Sequence, residues 1–290
     1  MTTSDLAGSA AADIAESAAS DIAESAAADF AESAMTFPGS ARVETVMGRP
    51  VSVDIRTALP ARELTPLLDD AFAWLRWVDD TFDPHRPDSQ IARLNRGQTL
   101  RQIPELVEVL HRCDELSEAT GGWFEARIGG VIDPSGFIKG WALERLSRAL
   151  SNAGAGDHRI AAGNDIRVRG SIAPGRRWRV HVRDPRTDVV RKVVFAHDLG
   201  IATSGGSSVV DPHTGLIQDT LGSVTVIGPD LAVADAYATA IYAMGPVRGR
   251  RFAAGLARTR PYETMIIAKD GQETTTPGFL DHSAETRLAG

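Results

Sequence analysis

The chain has 290 residues, 38 acidic and 31 basic side chains, and a formal net charge of −7. That length suffices for one large domain or two fused lobes around a substantial core. A single cysteine, Cys113, excludes an intrachain disulfide framework and any CxxC metal site. No apolar run is long enough to span a membrane.

The acidity sits at one end. Seven acids and no base precede Arg42, so the remainder holds 31 acids against 31 bases. The acidic balance therefore describes the first 40 residues, and a body without a basic stripe is a poor nucleic-acid binder. From Asp13 an eight-residue unit recurs as DIAESAAS, DIAESAAA and DFAESAM. Alanine favours helix. At about 100° per residue, however, each repeat overshoots two turns by about 80°. Ile14, Ile22 and Phe30 then walk around the helix and form no coiled-coil stripe. Residues 1–40 are expected to be a loosely helical or disordered acidic tail; a docking arm for a basic partner is the sharper alternative. The tail has neither the basic nor the apolar region of a secretory signal, so a cytoplasmic location is expected.

Residues 41–290 read as one folded domain. Val43–Val46 and Val51–Ile55 alternate like strands across a tight MGRP turn. Leu64 to Val78 carries apolar residues at helical spacing, including Phe72, Trp74 and Trp77. A second helix is expected from Pro104 to Ala119, closed by Gly121 and Gly122, with Cys113 as an inert packing residue. A third runs from Gly140 to Leu150. Short strands are expected at 165–169, 178–182, 190–195, 200–203 and 223–227. A fourth helix spans 231–244 and a last strand 262–267. The order has no βαβ rhythm and no dinucleotide or P-loop glycine motif, so the fold class is α+β.

Three segments carry candidate chemistry. GGVIDPSGFIKGWALERL, from Gly129, gathers Gly129, Gly130, Gly136 and Gly140 around Lys139 just before a helix. Glycine admits close backbone approach, a helix N-terminus offers free N–H groups, and a lysine adds mobile positive charge. Together these suit a phosphate, though an ordinary strand-turn-helix fits equally. In LAVADAYATAIYAMG, Asp235 and Thr239 lie four apart on one face of an otherwise apolar helix. Such oxygens suit a hard cation shared with substrate phosphates; a threonine bonded back to its own helix fits as well. ATSGGSSVVDPHTG, from Ala202, is a hydroxyl- and glycine-rich loop that suits ligand contact or simply the surface.

In this order and spacing the segments resemble the FAD:protein FMN transferase (ApbE) family. VMGRPVSVDI is similar to the family's opening hairpin, and TFDPHRPDSQIARLN to its aromatic-then-SxxxxLN loop. IDPSGFIKGWALERL resembles its DxxGxxKGxxxD/E stretch, and AGNDIRVRG its GGDIRxxG, with Asn164 for a glycine. ATSG, VVDPHTG and ADAYATA complete the series.

The resemblance implies a two-lobed, T-fold-related α+β domain that binds FAD and Mg²⁺. It implies metal ligands at Asp235, Thr239 and the Gly136 carbonyl. Flavin contacts are implied at Met47, Thr81, Phe82, Asp83, Asp133, Lys139, Thr203, Ser204, Gly205 and Val209. The implied reaction moves FMN from FAD to a threonine or serine of an acceptor protein, releasing AMP, with Lys139, Asp235 and residue 208 in catalytic positions. Ser208 stands where the family's HIxDPxTG has histidine, and a serine is no general base near neutral pH. The alternatives are therefore an FAD-sequestering protein without transferase activity and a Mg²⁺-dependent FAD pyrophosphatase. His213 follows beyond the Asp-Pro turn and reads as a solvent-exposed turn histidine.

Overall fold

Alternation over Gly39–Val46 (β1) and Arg49–Arg56 (β2) makes an antiparallel hairpin with Val46 opposite Arg49. Met47 and Gly48 form its two-residue turn with φ of 54° and 67°, the positive pair that matches strand twist. The chain is seen in a computed structural model that describes residues 38–99, 101, 103–184, 186–206 and 209–283. The alanine-rich repeat and Ser208 lie outside these described residues.

Helix α1 (Ala61–Phe82) buries Leu64, Leu68, Phe72, Leu75 and Val78 along one stripe. The short α2 (Gln90–Asn95) is capped by Ser89, whose hydroxyl accepts from the Ala92 N–H at 3.0 Å. Helix α3 (Pro104–Thr120) opens on proline and ends at Gly121, in the left-handed region at φ 65°. Strands β3 (Arg127–Ile128) and β4 (Val131–Ile132) form a small hairpin that leads into α4 (Ser135–Asn152).

Strands β5 (Asp157–Ala162), β6 (Asp165–Arg169), β7 (Trp178–Arg183), β8 (Val190–Ala196), β9 (Leu199–Gly205) and β10 (Leu221–Gly228) follow. Helix α5 (Leu231–Thr259) breaks at Gly245, with φ 70° and ψ −174°, and resumes at Pro246. Strands β11 (Glu263–Ala268) and β12 (Glu273–Thr275) and a 3₁₀ turn at Pro277–Ser283 close the described chain. The sequence reading has no element at α2, which it takes as part of a short loop, and none at β3, β4, β5, β12 or the second half of α5.

Eight strands form one sheet in the order β1-β2-β5-β6-β9-β10-β11-β12, with every neighbouring pair antiparallel. One apolar core joins a sheet face to the helices through Val53, Phe72, Leu143, Tyr237 and Ile241. A second core sits on the other face, where Trp178, Val180 and Val194 of the β7–β8 hairpin and Phe279 meet Ile201 and Met265. The mixture of one antiparallel sheet with helices on one face is the expected α+β class.

Candidate functional site

Helices α4 and α5 make the floor of the site. They run antiparallel and touch at Gly140, where a Cβ would stand 2.8 Å from the Ala232 Cα. One turn earlier, a Cβ on Gly136 would be 3.7 Å from the Thr239 hydroxyl. Gly136 and Lys139 of α4 thus share a crevice with Asp235 and Thr239 of α5. Asp235 is only 3% exposed and accepts the Gly140 N–H. Its Oδ2 is buried without a hydrogen-bond partner. Strand β9 joins through Ser204, whose hydroxyl lies 3.1 Å from that of Thr239.

The buried Asp235 oxygen is the feature that calls for a ligand. An unpaired carboxylate oxygen in a dry site is costly. The Thr239 hydroxyl and the Gly136 backbone supply further hard oxygens, so the donor set fits a magnesium-type cation. Among the described residues no three His, Cys, Asp or Glu side chains gather. A cation here would therefore share one carboxylate with neutral oxygens and ligand phosphates.

Lys139 is not the mobile charge expected from its glycine-rich setting. Its ammonium pairs with Asp165 at the start of β6. Asp165 also accepts the Thr203 N–H at 3.2 Å, so one carboxylate locks α4 to β9. Burial pulls the Lys139 ammonium below the ordinary lysine value; the Asp235 carboxylate opposes this and the Arg49 guanidinium adds to it. Burial likewise pushes the Asp235 carboxyl up, against the pull of Lys139, the Gly140 amide and Arg49.

Above this floor opens a cavity of about 730 Å³, inside the ~300–1,000 Å³ range of small-molecule sites. Trp123, Phe124, Ile128 and Val131 form an apolar wall. Thr203, Ser204, Gly205 and Val209 of the β9 side line it too, as do Asp133, Gly136, Lys139 and Thr239. Asp133 accepts the N–H and hydroxyl of Ser135, the first residue of α4, at the cavity edge. The glycine run divides by role. Gly129 and Gly130 make the β3–β4 turn at φ 60° and 83°, Gly140 is a helix contact, and only Gly136 faces the cavity.

The remaining expected residues lie elsewhere. Phe82 packs in an aromatic cluster, its ring 5.5 Å from Trp141 and 6.1 Å from Trp77. Thr81 is buried beside it, and Asp83 ends α1 and accepts the His85 N–H at 2.8 Å. Met47 packs against the helical core. None of these four lines the cavity. His213 is exposed and meets Trp123 edge-on at 4.5 Å between ring centroids.

Three contributors escaped the sequence reading. Arg49 lines the cavity, and Asp165 holds Lys139. Asn95 exchanges two 2.8 Å hydrogen bonds with the Ile132 backbone and fixes β4 just before Asp133. Asn95 was visible as the last letter of SxxxxLN, where its role is to brace a strand.

Comparison with known proteins agrees with this geometry. The ApbE family model matches residues 47–134 and 130–262. A FAD:protein FMN transferase of Escherichia coli K12 is 30% identical over 160 residues, covering 50% of this chain and 44% of that protein. The chain thus spans about half the length of the curated relatives it matches. The ApbE protein of Thermotoga maritima superposes with a TM-score of 0.76 at 19% identity, over 86% of this chain and 100% of that one. The flavin transferase ApbE of Vibrio cholerae gives 0.70 at 20% identity, over 84% and 100%. With the family model covering most of the folded domain and the same fold in these structures, the chain belongs to the ApbE family.

Proposed function

We propose that the chain binds FAD in the cavity and transfers its FMN half to a threonine or serine hydroxyl of an acceptor protein. The unpartnered oxygen of Asp235, one turn before Thr239 on the α5 face packed against α4, carries this reading; Thr239 and Gly136 line the cavity, and Asp235 is buried outside that lining. These three residues would hold Mg²⁺, which when bound neutralises charge on phosphate oxygens. Lys139, held by Asp165, presents a fixed cation to the same phosphates. Trp123 and Phe124 add apolar lining on which a flat ring system could pack. In the reaction the acceptor oxygen forms a bond to the FMN phosphorus, the bond from that phosphorus to AMP breaks, and the hydroxyl proton passes to a base.

That base is the open point, and it favours a second reading. Among the described residues no histidine lines the cavity, and the sequence has Ser208 at the family's histidine position. Loss of a general base costs about 10²–10⁴ in rate. A chain that holds FAD without transferring FMN is thus the alternative.

The protein and its Ser208→His variant, each mixed with FAD, Mg²⁺ and an acceptor peptide, separate the two. Acceptor mass and AMP release are followed. Transfer predicts a modified peptide from the unaltered protein and at least a tenfold faster reaction from the variant. FAD retained without products, with transfer only in the variant, makes the chain a flavin holder. AMP with free FMN and an unmodified peptide makes it a pyrophosphatase, and no FAD binding overturns all three.

A further inference from the structure

We propose that Arg49 is an anion clamp: its guanidinium grips a phosphate of the nucleotide bound in the cavity. The inference rests on the FAD reading for the identity of the nucleotide, but not for the anion site itself.

Arg49 is placed by backbone geometry. It is the first residue of β2, directly after the Met47–Gly48 turn, and Val51 two residues on pairs with Ala162 at the end of β5. The side chain therefore meets the β5–β6 turn at Gly163 and Asn164. Its Nη1 lies 3.1 Å from where a Gly163 Cβ would stand. Gly163, at φ 59°, both turns the chain and leaves the room that the guanidinium occupies. Arg49 and Asn164 both line the cavity, together with Lys139 and Thr203.

The charges of the cavity single Arg49 out. The Lys139 charge is matched by Asp165, the Asp133 carboxylate is used on the first turn of α4, and the Glu125 carboxylate at the cavity wall accepts the Ser117 hydroxyl and the Arg127 N–H. Asp235 lies below the floor, partnered by the Gly140 amide on one oxygen only. The Arg49 side chain makes no hydrogen bond or ion pair among the described residues, and it lines the same cavity as Lys139 and Thr239. An arginine fork left free at the edge of a polar cavity is matched in geometry by two phosphate oxygens. A cation held at Asp235 and Thr239 together with the Arg49 guanidinium would balance the charge of a diphosphate in the cavity. That arrangement suits a dinucleotide or a nucleoside diphosphate better than an uncharged flavin.

Equilibrium binding of FAD, ADP and phosphate-free riboflavin to the protein, Arg49→Ala and Arg49→Lys tests this. Losing a charged hydrogen-bonding partner is expected to weaken FAD and ADP by about 10- to 100-fold in the alanine variant. Riboflavin affinity stays unchanged, and lysine, lacking the fork, restores only part of the loss. An unshifted thermal midpoint shows that the alanine variant is folded. Unaltered FAD and ADP affinity in Arg49→Ala overturns the clamp alone, as does an equal loss for riboflavin. Binding of ADP through Arg49 by a protein that ignores both flavins keeps the clamp and sinks the FAD reading. A protein that binds none of the three overturns both.

Discussion

At the scale of single residues, His158 shows how burial sets chemistry. It is fully buried, with Nε2 at 2.7 Å from the Ser147 hydroxyl and Nδ1 at 2.7 Å from the Ala155 carbonyl oxygen. Burial takes its pKa from 6.5 down to about 4; the Ala155 carbonyl opposes this, and Arg167 and Arg169 add to it. The folded value lies below the unfolded one. Between those two values the unfolded chain therefore binds a proton that the folded chain refuses. Its contribution is full above pH 6.5, declines as pH falls, and levels off near pH 4. The loss amounts to ~3 kcal/mol by linkage. Urea midpoints of the protein and His158→Gln between pH 7.5 and 4.5 check it. The variant is expected to show a shallower decline; parallel curves would assign the acid sensitivity to other groups. The same histidine explains a gap in the sequence reading. In DHRIAA the inward-facing second position carries a polar letter, which hides the strand alternation of β5, although His158 there occupies a core position.

At the scale of elements, the site depends on how closely α5 is wedged. A Cβ at Gly140 would stand 2.8 Å from Ala232 Cα, and one at Gly200 of β9 2.7 Å from Leu231 Cα. The obstacles are backbone atoms, which cannot swing aside. The α5 N-terminus is held there by Glu144, which accepts the Leu231 N–H at 3.1 Å and pairs with the buried Arg167 at 2.9 Å. Two effects compete in Gly140→Ala. Helix propensity gains up to about 1 kcal/mol, while overpacking costs about 1–3 kcal/mol. A net loss of stability is expected, along with weaker Mg²⁺ response, because Asp235 and Thr239 would move away from Gly136. Gly255→Ala, on the second half of α5 with open space around it, isolates the first effect and is expected to stabilise by about 0.5–1 kcal/mol. Thermal midpoints that moved the same way in both would contradict the wedge. The pairs within one helix, Gly136 with Lys139 and Asp235 with Thr239, were readable from spacing alone. What joins them was not. The contact of Gly136 with Thr239 and the reach of Arg49 to Gly163 cross more than a hundred residues of sequence and exist only after α4 meets α5 and β2 meets β5. The glycine run misled for a related reason, since turn, helix contact and cavity floor all call for the same residue.

At the scale of the whole molecule, charge and chemistry occupy different parts of the chain. All seven acids in excess precede Arg42, whereas the cavity is built from Arg49 to Thr239 and the family match runs from residue 47 to 262. Among the described residues no helix is long and apolar enough to cross a membrane. Removal of residues 1–35 is therefore expected to leave FAD affinity within about twofold of the full chain, because the family match begins at residue 47 and the described cavity lining at Arg49. A second property is expected to change. The truncated chain has a formal net charge of zero at pH 7, since every excess acid has gone. Near zero net charge, proteins associate more readily. Flavin fluorescence titration and light scattering on both forms at pH 7 measure the two effects separately. Unchanged affinity with increased scattering supports a tail that keeps the folded domain dispersed. A lost flavin signal in a truncated protein that still melts cooperatively would bring the DIAESAAS repeat into the binding site itself.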